Sequence, residues 1–314
     1  MSAVKRALRA GGYPKLKVGH GGTLDPLASG VLPVALGEAT KLAGRLLDSD
    51  KVYEFTVRFG EQTDTLDAEG AVIATSPARP SPAELAAVLP RFTGPIGQTP
   101  PAYSALKVGG ERAYDLARAG QDVVLAERAV VVHSLYSSPA RGGGAHKVRD
   151  GGGPATGGSP SAGSPPPPLR GGPPPRPGEE LESITLVAHV SKGTYIRSLA
   201  RDIALALGTV GSVTHLRRLK AGPFDLRHAI TLDRLAELGQ ARALEQHLLP
   251  LRAGLDDIPA LSLSPDQAGA LRQGRVLAGI AVDDGQYFAC ADDVPIALVE
   301  VDHGEARVVR GFNL

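Results

Sequence analysis

The chain has 314 residues, room for two domains of ordinary size or one large domain with an appendage. With 34 Lys and Arg against 33 Asp and Glu the net charge is +1, so a polyanionic partner must be met by a local patch, not by the field of the whole molecule. The single cysteine, Cys290, excludes a disulfide framework and a Cys-based zinc site; no apolar run approaches the roughly 18 residues of a membrane span; and the polar start MSAVKRALRA is no signal peptide, so a soluble, cytoplasmic protein without a membrane partner is expected.

In chain order, residues 1–19 hold Lys5, Arg6, Arg9, Lys15 and Lys17 with no acid. Val18 to Pro33 reads VGHGGTLDPLASGVLP, a glycine-rich loop around Asp25. Val52 to Phe59 alternates, with Tyr53, Phe55, Val57 and Phe59 on one face, which predicts a half-buried strand. Ser81, Pro82 and Glu84 supply the N-cap, first-turn proline and capping-box acid of a helix running to about Leu89. Strand-like segments follow at Ala129 to Leu135 and Ile184 to Val190. Between them Gly and Pro make up 22 of the 38 residues from Arg141 to Gly178, too few apolar side chains to offset the entropy of ordering, so a disordered insertion within one sheet is expected. Thr194 to Leu207 has Ile196, Leu199, Ile203 and Leu207 at helical spacing before Gly208. Lys192 to Lys220 carries Lys192, Arg197, Arg201, Arg217, Arg218 and Lys220 against Asp202 alone, a second basic segment. From about residue 249 the texture changes: a helix start at Ser264, Pro265 and Gln267, two or three short strands, and seven acids without a Lys or Arg between Ala281 and Glu305. The division expected is a larger first domain over 1–248, which the family resemblance below makes the catalytic one, and a small C-terminal domain over 249–314.

Two basic segments brought together by a fold make a nucleic-acid footprint, although solvated helix faces would look the same in sequence. With 7 Tyr, 6 Phe and no Trp, a stacking platform for single strands is not expected. In the loop, Gly19, Gly21 and Gly22 permit positive φ and close backbone approach, and Pro26 forces Asp25 into an extended conformation. Residue chemistry alone leaves three readings: a tight structural turn, an active-site loop with Asp25 as nucleophile or base, or a phosphate cradle. The last lacks the P-loop ending and the G-x-G-x-x-G spacing.

The G-H-x-G-T-L-D-P block, the KVYEF strand, SALKVGGERAYDLARAG (104–120), KGTYIRSLARDIALALG (192–208) and LRRL (216–219) together resemble the bacterial TruB family of tRNA pseudouridine synthases, over about residues 1–140 and 180–235. The resemblance implies a mixed α+β fold on a mainly antiparallel sheet with flanking helices, followed by a small β-rich, PUA-like domain. It implies isomerisation of uridine 55 in the T stem-loop of tRNA, by flipping the base, breaking N1–C1′ and rejoining through C5, with no cofactor, no metal and no guide RNA. A monomer is expected.

By the same resemblance Asp25 is the catalytic carboxylate, as nucleophile or as base; a carboxylate is ionised at neutral pH and can add and later leave. Tyr53 is the active-site tyrosine by the resemblance, whereas its place on an apolar strand face, taken alone, favours a core aromatic. Arg197 is the guanidinium that pairs with Asp25. His20 takes the space left by the flipped uridine, Tyr195 and Leu219 line the pocket, and Arg217 and Lys220 meet the RNA backbone.

The family usually begins with a strand bearing Lys-Pro that this sequence lacks, so a start further upstream is expected; the insertion is the second departure. Two other readings remain: a non-catalytic tRNA-binding or folding protein that kept the loop for its shape, and a guide-RNA-dependent synthase, which should carry a longer, basic tail.

Overall fold

The computed structural model describes residues 1–138 and 180–313. The segment read as a disordered insertion therefore lies outside the described residues.

The main sheet contains β1 (Lys51–Phe59), β2 (Gly94–Gln98), β3 (Arg128–Ser137), β4 (Ser183–Val190), β5 (Gly211–Ala221) and β6 (Phe224–Asp225) in the order β6-β5-β1-β4-β3-β2. These neighbours run antiparallel, and the short segment Ser29–Gly30 adds to β5 in parallel. β3 pairs with β4, so the sheet does continue across the insertion, as the alternation of the flanks requires. One face is covered by the helix Ile196–Ala206, whose Ile196, Leu199, Ala200, Ile203 and Ala204 pack on Phe55, Val57, Phe59, Leu186 and Ala188. Val52, Glu54, Thr56 and Arg58 of β1 alternate onto the other, more open face.

Local punctuation explains the helix positions. Pro82–Val88 starts from a capping box in which Ser81 and Glu84 cap one another, and Pro265–Arg272 repeats it with Ser264 and Gln267. The helix expected from Thr194 begins two residues later, because Tyr195 is held extended: its N–H donates to Gln98 Oε1 (2.7 Å) and its carbonyl accepts from Gln98 Nε2 (3.1 Å). The N-terminal residues form a helix, Ser2–Ala10, that buries Ala7 and Leu8 against Leu238 and Leu244 and leaves Lys5, Arg6 and Arg9 exposed.

The C-terminal region is richer in strands than its sequence indicated. It has five: β7 (Ala260–Ser262), β8 (Leu277–Ala278), β9 (Gly285–Ala291), β10 (Val294–Asp302) and β11 (Glu305–Gly311), in the order β7-β9-β10-β11-β8. Pro295 to Val299 are all buried, so β10 has no period-2 signal to read. Leu261, Leu271, Ile296, Val299 and Val301 form its own core, while Leu42, Leu255, Ile258, Leu298 and Phe312 join it to the first part of the chain.

Candidate active site

The site begins with the Asp25 loop. The Ala28 N–H donates to the Asp25 carbonyl (2.9 Å), which closes a β-turn with Asp at its first position and Pro26 at its second, the residues such turns favour. Gly30 ends the loop at φ 100° against β5, where a Cβ would lie 2.2 Å from the Arg218 carbonyl oxygen. Only glycine fits there.

The loop is held from below by Arg218, 1% exposed. Its Nε donates to the Val31 carbonyl (2.7 Å), Nη2 to Gly22 (3.0 Å) and Nη1 to Thr23 (3.3 Å), while the Val31 N–H returns a bond to the Arg218 carbonyl (2.9 Å). Both ends of the segment that presents Asp25 are thus tied to one guanidinium. Arg218 also stands directly opposite Tyr53 across the β5–β1 ladder. Burial pushes the Tyr53 hydroxyl above the ordinary phenol range, and the charge and hydrogen bond of Arg218 pull the other way.

Arg197, on the first turn of its helix, joins the loop to two further segments. Its Nε donates to Asp25 Oδ2 (2.9 Å), Nη1 to the Thr65 carbonyl (2.8 Å) and Nη2 to the Tyr103 carbonyl (3.0 Å). A second carboxylate completes the set: Asp67 Oδ2 lies 3.3 Å from Nη1. Asp67 is itself fixed by the Thr65 hydroxyl (2.6 Å) and the Glu69 N–H (3.0 Å) on Oδ1. The arginine side chain is 6% exposed and Asp67 3%, but Asp25 keeps 33%. One guanidinium lies between two carboxylates, with only the catalytic candidate open to solvent, and its Nε–H bond orients Asp25.

The fold thus places Arg197 on Asp25 and Tyr53 beside the arginine that clamps the Asp25 loop, near enough to feel the Asp25 charge. Tyr195 is half-buried at the start of the same helix, with the Arg128 guanidinium 4.9 Å from its ring centre. His20 is half-buried on the short ladder that precedes the loop, and its Nδ1 is buried without a hydrogen-bond partner among the described residues. Leu219 is half-buried at a bulge between the Arg218–Tyr53 and Lys220–Val52 pairs. Arg217 and Lys220 are exposed; Arg217 pairs across the ladder with Glu54, on the sheet face away from Arg218. Of the basic segment 192–220, Arg197 and Arg218 are turned inward as internal clamps, so the exposed cations there are fewer than the sequence count.

Three participants were not singled out in sequence: Asp67, Arg218 and Gln98. For Arg218 a signal existed, since strand alternation puts it on the face of Leu216, which is buried. Asp67 and Gln98 sit in segments without periodicity.

The model for the TruB family pseudouridylate synthase (N terminal domain) matches residues 5–141, and that for the tRNA pseudouridylate synthase B C-terminal domain matches 197–256. A relative from Novosphingobium aromaticivorans, named tRNA pseudouridine synthase B, is 56% identical over 100% of this chain and 92% of its own length. The chain belongs to the TruB family of pseudouridylate synthases. Another TruB relative with the same name, from Zymomonas mobilis subsp. mobilis, is 52% identical over 100% of the chain and 90% of its length. In solved structures the fold recurs in an H/ACA ribonucleoprotein bound to a substrate RNA containing 2′-deoxyuridine (TM-score 0.65, 20% identity, 100% of this chain and 81% of that one). It recurs again in the archaeal box H/ACA sRNP Nop10–Cbf5 complex (TM-score 0.63, 19% identity, 99% and 81%). At that identity the likeness is one of fold: a mainly antiparallel mixed α/β sheet with a β-rich C-terminal region. As a TruB-family member the protein is an isomerase, a tRNA pseudouridine synthase.

Proposed function

We propose that the chain isomerises uridine 55 in the T stem-loop of tRNA, acting alone in the cytoplasm as a monomer without a guide RNA. The observation that carries the reading is the Asp25–Arg197 pair: an oriented, partly solvent-open carboxylate on a rigid loop, backed by a buried guanidinium. A protein that only bound tRNA would gain nothing from an anion facing phosphates, which disfavours the tRNA-folding reading. The curated relatives named tRNA pseudouridine synthase B support the same substrate, whereas the H/ACA neighbours share the fold at far lower identity.

In this reading the uridine leaves the stack and enters beside Asp25, and His20 offers a ring and an unpaired nitrogen to the space vacated. Asp25 supplies the negative charge that assists N1–C1′ cleavage; the base turns, C5 bonds to C1′, and the C5 proton is lost as N1 regains one. Atoms balance with no oxidant and no bound group. Tyr53 lies against the base with its hydroxyl protonated, Tyr195 and Leu219 bound the pocket, and Arg217 and Lys220 contribute charge toward the RNA backbone. Residues 1–248 form the catalytic unit and 249–314 a PUA-like RNA-binding unit.

The test is incubation of the purified chain with an unmodified tRNA transcript and no other RNA, followed by carbodiimide primer extension. A stop at position 55 alone is expected. No stop, or a stop elsewhere only, refutes the assignment.

A further inference from the structure

On the open face of the main sheet, away from Asp25, three potential ligands meet from three segments. His133 Nε2 lies 3.0 Å and His189 Nε2 3.7 Å from the same oxygen, Oδ2 of Asp50, and all three donor atoms are within 4.8 Å of one another. Donors on a tetrahedral ion with bonds of about 2.0–2.1 Å stand roughly 3.3 Å apart, between the two nitrogen–oxygen separations seen. The imidazoles are tilted at 45° with centroids 4.7 Å apart, so modest rotation of two partly exposed rings brings their nitrogens into that range.

The backbone is built for this juxtaposition. β3 and β4 pair Val132 with Val190 and Ser134 with His189, which leaves His133 as the extra residue of a β-bulge. A bulge re-aims a side chain that regular alternation would send to the opposite face, and here it sets His133 beside His189. Beside the cluster is a cavity of about 750 Å³ whose charged lining is Asp48, Asp50, Asp256 and Asp257 against Arg45 and Lys220. Arg45 is already paired with Asp257 (2.6 Å) and Asp48 with Lys192 (3.2 Å), so the remaining field suits a cation better than a phosphate.

We propose that Asp50, His133 and His189 form a binding site for a zinc-type transition ion, separate from the isomerase site. Two imidazoles and one carboxylate select a borderline ion over the hard Mg²⁺. Each histidine would bind through Nε2 with its ring proton on Nδ1, and the fourth position would take water. The ion would tie the middle of β3 and the end of β4 to the turn leading into β1, three residues before Tyr53. A second carboxylate–imidazole cluster among the described residues, Asp284, Asp302 and His303, offers one imidazole that is 90% exposed and serves as a control.

The experiment uses the full chain without a polyhistidine tag, stripped with a chelator and titrated with Zn²⁺ alone against a chromophoric competitor. One equivalent should bind, and millimolar Mg²⁺ should not displace it. His133→Ala, His189→Ala and Asp50→Asn should each weaken the affinity by about tenfold or more, with His303→Ala unchanged. In the unsubstituted chain, which needs no variant to fold, Zn²⁺ should shift the imidazole signals of both His133 and His189 in ¹⁵N spectra. No saturable zinc uptake, or uptake that leaves those two rings unshifted and survives all three substitutions, would overturn the site and reduce the cluster to a hydrogen-bonded His–Asp pair.

Discussion

Replacing Arg197 with Met keeps the length and apolar stem of the side chain and deletes the guanidinium. Four acceptors lose their donor: the carboxylates of Asp25 and Asp67 and the carbonyls of Thr65 and Tyr103. They are not equivalent. Asp25 is 33% exposed and can turn to water, whereas Asp67 is 3% exposed and keeps only the Thr65 hydroxyl and the Glu69 N–H. Breaking a buried pair by removing one partner costs about 3–5 kcal/mol, and most of that should fall on Asp67. The double variant Arg197→Met/Asp67→Asn exchanges the stranded charge for a neutral amide and should regain about 2 kcal/mol, the difference between burying an unpaired charge and an unpaired polar group. Turnover should stay crippled in both, since neither restores the Nε–H bond to Asp25. Urea unfolding gives the stabilities and single-turnover kinetics the chemistry. A single variant destabilised by less than about 1 kcal/mol, or a double variant no more stable than the single, would refute the idea that Arg197 serves Asp67 structurally and Asp25 catalytically.

Asp25→Asn keeps the turn but cannot carry charge or leave as a carboxylate, so turnover should fall below about a hundredth of wild type while filter-binding affinity for tRNA holds or rises. Gly30→Ala places a methyl 2.2 Å from the Arg218 carbonyl oxygen at φ 100°; it should displace the loop and cut turnover at least about tenfold, with helix content by circular dichroism unchanged. Lys51 donates to the carbonyls of Leu46, Leu47 and Ser49, and its ammonium is pushed down to about 8 by burial and by Arg218. Between that pH and the unfolded value of about 10.4 the unfolded chain binds the extra proton, so wild-type stability relative to Lys51→Met should rise with pH across that window, and a flat difference would contradict it. Arg217→Ala with Lys220→Ala should flatten the salt dependence of tRNA affinity by about two units of slope if each cation meets one phosphate, and an unchanged slope would remove them from the interface.

The parts of the fold that read directly from sequence are those whose determinants are local. Tyr53, Phe55, Val57 and Phe59 fall on one face of β1 because a strand alternates, and Ser81 with Glu84 or Ser264 with Gln267 fix helix starts within four residues. β10 gave no such signal, since its central residues are buried on both faces. Asp25, Tyr53 and Arg197 were proposed as site residues through a family resemblance; residue chemistry alone left the loop open among three readings and favoured Tyr53 as a core aromatic.

What remained hidden is what acts at a distance. Gln98 holds the Tyr195 backbone 97 positions away, Arg197 reaches the Thr65 carbonyl 132 positions back, and Arg218 clamps Val31 across 187. None of these separations leaves a spacing to count. The LRRL segment shows how a residue class can mislead: its two arginines read alike as surface charge, yet alternation sends Arg217 to solvent and Arg218 inside to grip the Asp25 loop. Counting charge asks how much is present along the chain; the fold decides which side of a strand it faces. A guanidinium that is 1% exposed and bonded to three carbonyls offers no N–H to a phosphate in solvent, so the cation that holds the Asp25 loop is one that cannot touch the RNA backbone. Positioning of the loop and recruitment of the RNA therefore fall to adjacent residues of one strand, and substitution of Arg218 should alter the chemical step where substitution of Arg217 alters only the encounter.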